Sequence, residues 1–224
     1  MTYRSIYILV TFVALAFAPA ARACEVALAF AIDVSGSISD QDYEIQMRGL
    51  AEGLRDPMVS HTLARGDSAV MVLLWSGHGE QLVAINWRQM SSEGQVASFA
   101  AEIEALPRPF GRSATALGEA LRAIAAVMTE APVCDRYVVD ISGDGRSNEG
   151  DLPRHQQDAL AVMDITVNAI VVDGEGGDIH NYYEDEIIRG PDAFSVVVSD
   201  PDDYASQMRR KLYRELAIQM ATLE

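Results

Sequence analysis

Val26-Ala-Leu-Ala-Phe-Ala-Ile-Asp33-Val-Ser35-Gly-Ser37 is the stretch on which the reading of this chain turns. Seven apolar residues run without interruption into an aspartate, and hydroxyl side chains follow at every second position. An unbroken apolar run of this length suits a strand covered on both faces, as in a mostly parallel sheet. Comparable runs recur at Ala69 to Trp75, Tyr137 to Ile141, Thr166 to Val172 and Phe194 to Val198, with a shorter one at Leu82 to Asn86. They predict six strands.

Amphipathic segments separate these runs. Ser39, with Asp42 three residues on, predicts a capped helix whose apolar stripe is Tyr43, Met47, Leu50 and Leu54. Leu117, Leu121, Ile124 and Met128 form a second stripe, and Leu160 with Met163 a third. Asp200-Pro201-Asp202-Asp203 caps a last helix with the stripe Tyr204, Met208, Leu212 and Leu216. Strand and helix in alternation predict a doubly wound α/β sheet with helices on both faces, in which ligands bind beyond the carboxyl ends of the strands. Both the first strand, running into Asp33, and the strand at Tyr137 to Ile141, running into Gly143-Asp144-Gly145, bring an aspartate to that edge.

Length and charge narrow the function. Arg4, the apolar run from Ile6 to Ala20 and Ala21-Arg22-Ala23 predict a secretory signal peptide over 1–23, because the run is short for a bilayer span and ends in small residues. Residues 24–224 then form one domain, with no linker, repeat or low-complexity tract. Removing 1–23 deletes two arginines and no acids, so the formal charge moves from −16 to −18, with 15 basic against 33 acidic side chains. Such a surface repels phosphate backbones and anionic lipid, which argues against nucleic acid and membrane-surface partners. Export makes the mature protein periplasmic or extracellular and places the two cysteines, Cys24 and Cys134, where disulfides persist.

Asp33, Ser35 and Ser37 alternate along an extended tip and can converge on one point while Gly36 lets the backbone turn. Carboxylate and hydroxyl oxygens suit hard divalent cations. Taken alone, the same residues equally suit a capped strand-to-helix turn.

In order and spacing, Asp33-x-Ser35-x-Ser37, a threonine within Gly111-Arg-Ser-Ala-Thr-Ala-Leu-Gly-Glu-Ala-Leu121, and Asp144-Gly145 resemble the three-part metal-ion-dependent adhesion site of von Willebrand factor A domains. More narrowly, Ile141-Ser-Gly-Asp-Gly-Arg-Ser-Asn148 and Tyr182-Tyr-Glu-Asp-Glu-Ile-Ile-Arg-Gly-Pro191 resemble a bacterial family of small exported proteins of unknown function, of the DUF1194 type. The resemblance implies a Rossmann-like sheet with one antiparallel edge strand. It implies that Ser35, Ser37 and Thr115 hold Mg²⁺ or Mn²⁺ directly, Ser113 being the alternative to Thr115, and that Asp33 and Asp144 act largely through water. Neutral hydroxyls leave such a cation under-neutralised, so the expected partner is a protein presenting a carboxylate. In the family's sheet order the strands after Cys24 and Cys134 are parallel neighbours, which implies a Cys24–Cys134 disulfide.

The expectation is a binding module and not an enzyme. A haloacid-dehalogenase-like phosphatase carries a second aspartate where Ser35 stands and uses a lysine for phosphate, but the only lysine here is Lys211, in the last amphipathic helix. A serine hydrolase on such a sheet shows Gly-x-Ser-x-Gly, which is missing. His61, His78, His155 and His180 have no zinc-ligand spacing and no evident nucleophile to serve. An envelope structural protein with a lapsed metal site is the remaining alternative. Asp173-Gly-Glu-Gly-Gly-Asp178 reads as a solvated loop, with Ca²⁺ binding as its alternative.

Overall fold

The computed structural model describes residues 24–221, apart from residue 112 and residues 174–177. The predicted signal segment and the middle of the Asp173–Asp178 loop lie outside the described residues. The strands are β1 (Cys24–Asp33), β2 (Ala69–Trp75), β3 (Gln81–Gln89), β4 (Cys134–Gly143), β5 (Ile165–Val172) and β6 (Ser195–Val198), in the sheet order β3-β2-β1-β4-β5-β6. All pairs are parallel except β2 with β3. The expected doubly wound sheet with one antiparallel edge strand is therefore present.

Among the described residues seven α-helices cover it: α1 (Asp40–Arg55), α2 (Pro57–Arg65), α3 (Glu93–Glu104), α4 (Leu117–Met128), α5 (Gln157–Val162), α6 (Asp178–Glu186) and α7 (Tyr204–Ala221). The expected cap of α1 forms as a full capping box between Ser39 and Asp42. Asp200 caps the short 3₁₀ turn ahead of α7. Sequence reading left out α2, α3 and α6.

The composition of β1 explains how the two faces differ. Val26, Leu28, Phe30 and Ile32 enter the core beneath α1, α2, α3 and α7, whereas Ala29 and Ala31 enter the core beneath α4, α5 and α6. Successive side chains of a strand point to opposite faces, so one face of β1 is bulky and the other is nearly flat.

At the lower edge, Cys24 and Cys134 are register partners on β1 and β4, and they form the disulfide across a sequence separation of 110. The bond ties together the two strands that carry Asp33 and Asp144 at their upper ends. A loop of this length corresponds to roughly 4–5 kcal/mol on the chain-entropy model. Cys24→Ser/Cys134→Ser is expected to lower the urea midpoint by an amount equivalent to about 2–5 kcal/mol with the folded circular dichroism spectrum retained. An unchanged midpoint would mean that the bond adds nothing to the pairing of β1 with β4.

Candidate metal centre

In the sheet order, β1 stands between β2 and β4, so the chain leaves β1 toward one side and β4 toward the other. The crevice between such diverging connections is where open α/β sheets bind ligands. Asp33 closes β1 at this point, and Asp144 follows Gly143 at the end of β4.

The structure brings all five expected residues together. Ser35 Oγ lies 3.2 Å from Ser37 Oγ and accepts from Thr115 Oγ1 at 3.3 Å. Ser37 Oγ donates to Asp144 Oδ1 at 2.5 Å. Asp33 Oδ1 accepts from the Ser35 backbone N–H at 2.7 Å, and Asp33 Oδ2 is buried with no hydrogen-bond partner. Asp33 and Ser35 are fully buried and Thr115 nearly so, whereas Ser37 is exposed and leaves the cluster open to solvent.

Ser113 is placed differently. Its carbonyl accepts from Gly36 N–H at 2.7 Å, and it is Thr115 whose hydroxyl reaches Ser35. Nor does Ser113 cap α4, because the Leu117 N–H donates to Ser147 Oγ at 3.2 Å.

The residues fit a small divalent cation. Adjacent ligands of an octahedral Mg²⁺ with 2.0–2.1 Å bonds are about 2.9 Å apart, and the hydroxyl spacings of 3.2 and 3.3 Å need to close only slightly. The orphaned Asp33 Oδ2 is an acceptor in need of a cation or a donor. Among the described residues no group of three or more His, Cys, Asp or Glu is set to hold a metal, so the donor set rests on hydroxyls with two carboxylates behind them.

Burial pushes the Asp33 carboxyl up to about 7, and the Asp144 charge adds to the effect, against the hydrogen bonds from Ser35. Burial also raises Asp144, opposed by the bond from Ser37. Two carboxyl groups, Asp33 and Asp144, are thus drawn into a site that water reaches from the Ser37 side.

Both narrower motifs pack around this cluster. Asn148 Oδ1 accepts from Thr115 N–H at 2.9 Å, the Arg146 guanidinium lies over the Tyr182 ring, and Tyr182 Oη accepts from Ser147 N–H at 3.3 Å. Tyr183 is fully buried against Gly143, and its hydroxyl has no partner. Ser142 Oγ accepts from Asp33 N–H and donates to Gln46 Oε1. Sequence reasoning did not assign these supporting roles. The Tyr182–Pro191 motif was the available signal, but nothing in its spacing says that it folds back onto β4.

One model, described as Protein of unknown function (DUF1194), matches residues 23–220. The chain belongs to the DUF1194 family. No curated protein matches it. Among solved structures, the DUF1194 chain is similar to proximal thread matrix protein 1 of the mussel byssus, with 21% identity over 88% of this chain and 49% of that chain and a TM-score of 0.66. It spans about half the length of that protein, which has also been solved with a zinc-occupied MIDAS motif. A von Willebrand factor type A protein of Catenulispora acidiphila matches with 16% identity, TM-score 0.61, over 86% of this chain and 43% of that one. The vWF domain of the type V pilus tip protein Mfa5 of Porphyromonas gingivalis matches with 10% identity, TM-score 0.62, over 89% and 97%. The DUF1194 chain therefore has the von Willebrand factor A fold.

Elsewhere, His180 Nε2 lies 2.8 Å from Ser195 Oγ, a neighbour that sequence reading did not supply. The Ser195 hydroxyl donates to Glu184. The same ring nitrogen faces Glu184 at 3.5 Å, so Glu184 does not orient the imidazole from its far side as nucleophile activation requires. Asp173 Oδ2 accepts from His180 N–H at 2.9 Å and so serves the start of α6. No helix among the described residues is long and apolar enough to cross a membrane.

This geometry sets two measurable outcomes. A Cβ at Gly143 would lie 2.0 Å from Tyr183 Oη but 3.2 Å from Tyr183 Cζ. Gly143→Ala should cost about 1–3 kcal/mol by overpacking, and Tyr183→Phe added to it should recover part of that loss in denaturant melts. The Asp33 carboxyl keeps its proton to about 7 in the folded metal-free protein but loses it near 3.8 when unfolded. The folded state binds the extra proton in that window, so this group's contribution to stability falls as pH rises through it. Thermal melts of metal-free protein from about pH 4.5 to about pH 7.5, across that window, should slope less steeply for Asp33→Asn than for the unsubstituted chain.

Proposed function

We propose that this chain is an exported, metal-dependent protein-binding module and not an enzyme. The observation that carries the reading is the convergence of the Ser35, Ser37 and Thr115 hydroxyls beside a buried Asp33 oxygen that has no partner. The zinc-occupied MIDAS of the mussel protein supports a divalent cation on this fold, and the oxygen-only donor set favours Mg²⁺ or Mn²⁺.

Ser35, Ser37 and Thr115 offer neutral oxygens, while Asp33 and Asp144 supply charge from behind, largely through water. A cation so held has residual positive charge and attracts a carboxylate from outside. Ser37 and Asp144, at the solvent side of the cluster, face the approaching partner. The partner is accordingly a protein presenting an acidic side chain to the upper edge of the sheet. A signal peptide over 1–23 delivers the domain of residues 24–224 to the periplasm or the exterior.

Calorimetric titration of metal-stripped protein with Mg²⁺ and with Mn²⁺ tests the site. One-site binding is expected, weakened at least about tenfold, ~1.4 kcal/mol, in Asp33→Ala, Asp144→Ala and Thr115→Ala. Ser113→Ala should bind like the unsubstituted chain. Because the Asp33 proton competes with metal, affinity should rise with pH through about 7. Failure of the folded protein to bind either cation at millimolar concentration would refute the reading.

A further inference from the structure

Lys211 is the only lysine in the chain and its side chain is fully buried. It reaches from α7 to the middle of the sheet. There its Nζ lies 2.6 Å from Asp140 Oδ1 on β4 and 2.5 Å from Glu215 Oε1, one helical turn further along α7. The Asp140 and Glu215 side chains are only 1% and 2% exposed. Glu215 Oε1 also accepts from Asn168 Nδ2 at 2.9 Å, and the Phe194 ring lies 5.6 Å from Nζ. Two acids thus face one amine in a buried region, where separated charges are costly to hold.

Two features distinguish this cluster from a simple ion pair. The amine donates to Glu215 Oε1 and also lies against Asp140 Oδ1, and the Asp140 carboxyl has no other partner. Burial also pushes the Asp140 carboxyl up, toward its uncharged form, with Lys211 opposing the shift and the Glu215 charge adding to it. A nucleophile, an electrophile and a proton acceptor are held in contact by β4 and α7. Fixed contact of this kind replaces the entropy cost of a bimolecular encounter.

We propose that Lys211 and Asp140 join through an intramolecular amide bond between Nζ and Cγ, with Glu215 as the proton carrier. The Glu215 carboxylate takes one proton from the Lys211 ammonium. The freed lone pair adds to Asp140 Cγ, forming the C–N bond. A second amine proton passes by way of Glu215 to one hydroxyl of the tetrahedral carbon, and the C–O bond breaks with its electron pair leaving on water. Lys211 ammonium, Asp140 acid and Glu215 carboxylate become amide, water and Glu215 acid. Atoms and charge balance, no oxidant takes part, and the interior loses one positive and one negative charge. That loss drives a condensation which bulk water disfavours. A cavity of about 220 Å³ lined by Arg136, Asn168, Asp192 and Glu215 adjoins the cluster and receives the water. The product links α7 covalently to β4, the strand that the disulfide already ties to β1, and unlike the disulfide it survives reduction.

Mass spectrometry of the purified, fully reduced and denatured chain tests for the link. The expected result is an intact mass lower by one water than its verified sequence, with a tryptic species joining the Asp140 and Lys211 peptides and no cleavage after Lys211. An intact mass equal to the sequence, with the two peptides released separately, overturns the proposal. Glu215→Gln, checked for folding by circular dichroism, should lose the link and regain the mass of one water. A folded Glu215→Gln chain that remains linked overturns the assignment of Glu215 as proton carrier. The mass of the unsubstituted chain establishes or refutes the link whether or not the variant folds.

Discussion

Val26 to Ala31 lie beside Arg136 to Ile141 in parallel register at the centre of the sheet. Parallel neighbours share a direction, so the starts of β1 and β4 meet at one edge and their ends at the other. Cys24 and Cys134 meet at the lower edge, and Asp33 and Asp144 close over the upper one. Because the connections diverge there, the upper edge is left open and Ser113 to Thr115 can close it from the side. Gly36 N–H, bonded to the Ser113 carbonyl, fixes that third segment against the first. Slipping β1 against β4 by one residue would turn Asp33 toward the opposite face and dismantle the donor set.

The same strand pair explains why charge accumulates where it does. β4 carries Asp140 and Ser142 on the face beneath α1 and α7, and Asp144 beyond its end. Ser142 links the Asp33 backbone to Gln46 of α1, while Asp140 meets Lys211 of α7. One face of one strand thus supports the Asp33–Ser35 cluster at its tip and holds a closed ionic cluster farther down. Water reaches the first through Ser37, whereas the second is buried, with only the cavity beside Glu215 adjoining it. That difference leaves the first cluster reachable from outside and holds the second within the fold.

Legibility followed the physics of each element. Strands buried on both faces and the capped helices α1 and α7 carry their signal within a few neighbouring residues, so apolar runs and Ser39 or Asp200 revealed them. Helices α2 and α3 are capped by Asp56 and Ser92, yet α2 is short and α3 carries alternating small residues that blur its stripe. Helix α6 carries the first half of the Tyr182–Pro191 motif, but only Tyr183 of that helix is deeply buried, too little apolar pattern to mark a face. Lys211 and Glu215 flank the α7 stripe, one position before Leu212 and Leu216, where a charge ordinarily reaches solvent. Here β4 and β5 cover them instead.

By itself the sequence determined the alternation of buried strands and capped helices, the aspartates at two strand ends, the pair of cysteines and the strongly acidic charge. Each of these follows from local pattern or composition, because periodicity, capping and charge act between residues close in the chain. Tertiary structure alone decided that Thr115 and not Ser113 reaches Ser35, that one Asp33 oxygen is left without a partner, that Tyr183 seals the back of Gly143, and that the only lysine meets two acids in the core. Those relations join residues as far apart as Asp33 and Tyr183 or Asp140 and Lys211. They exist only once the sheet has set its strand order, because burial and pairing across such separations are properties of packing and not of spacing.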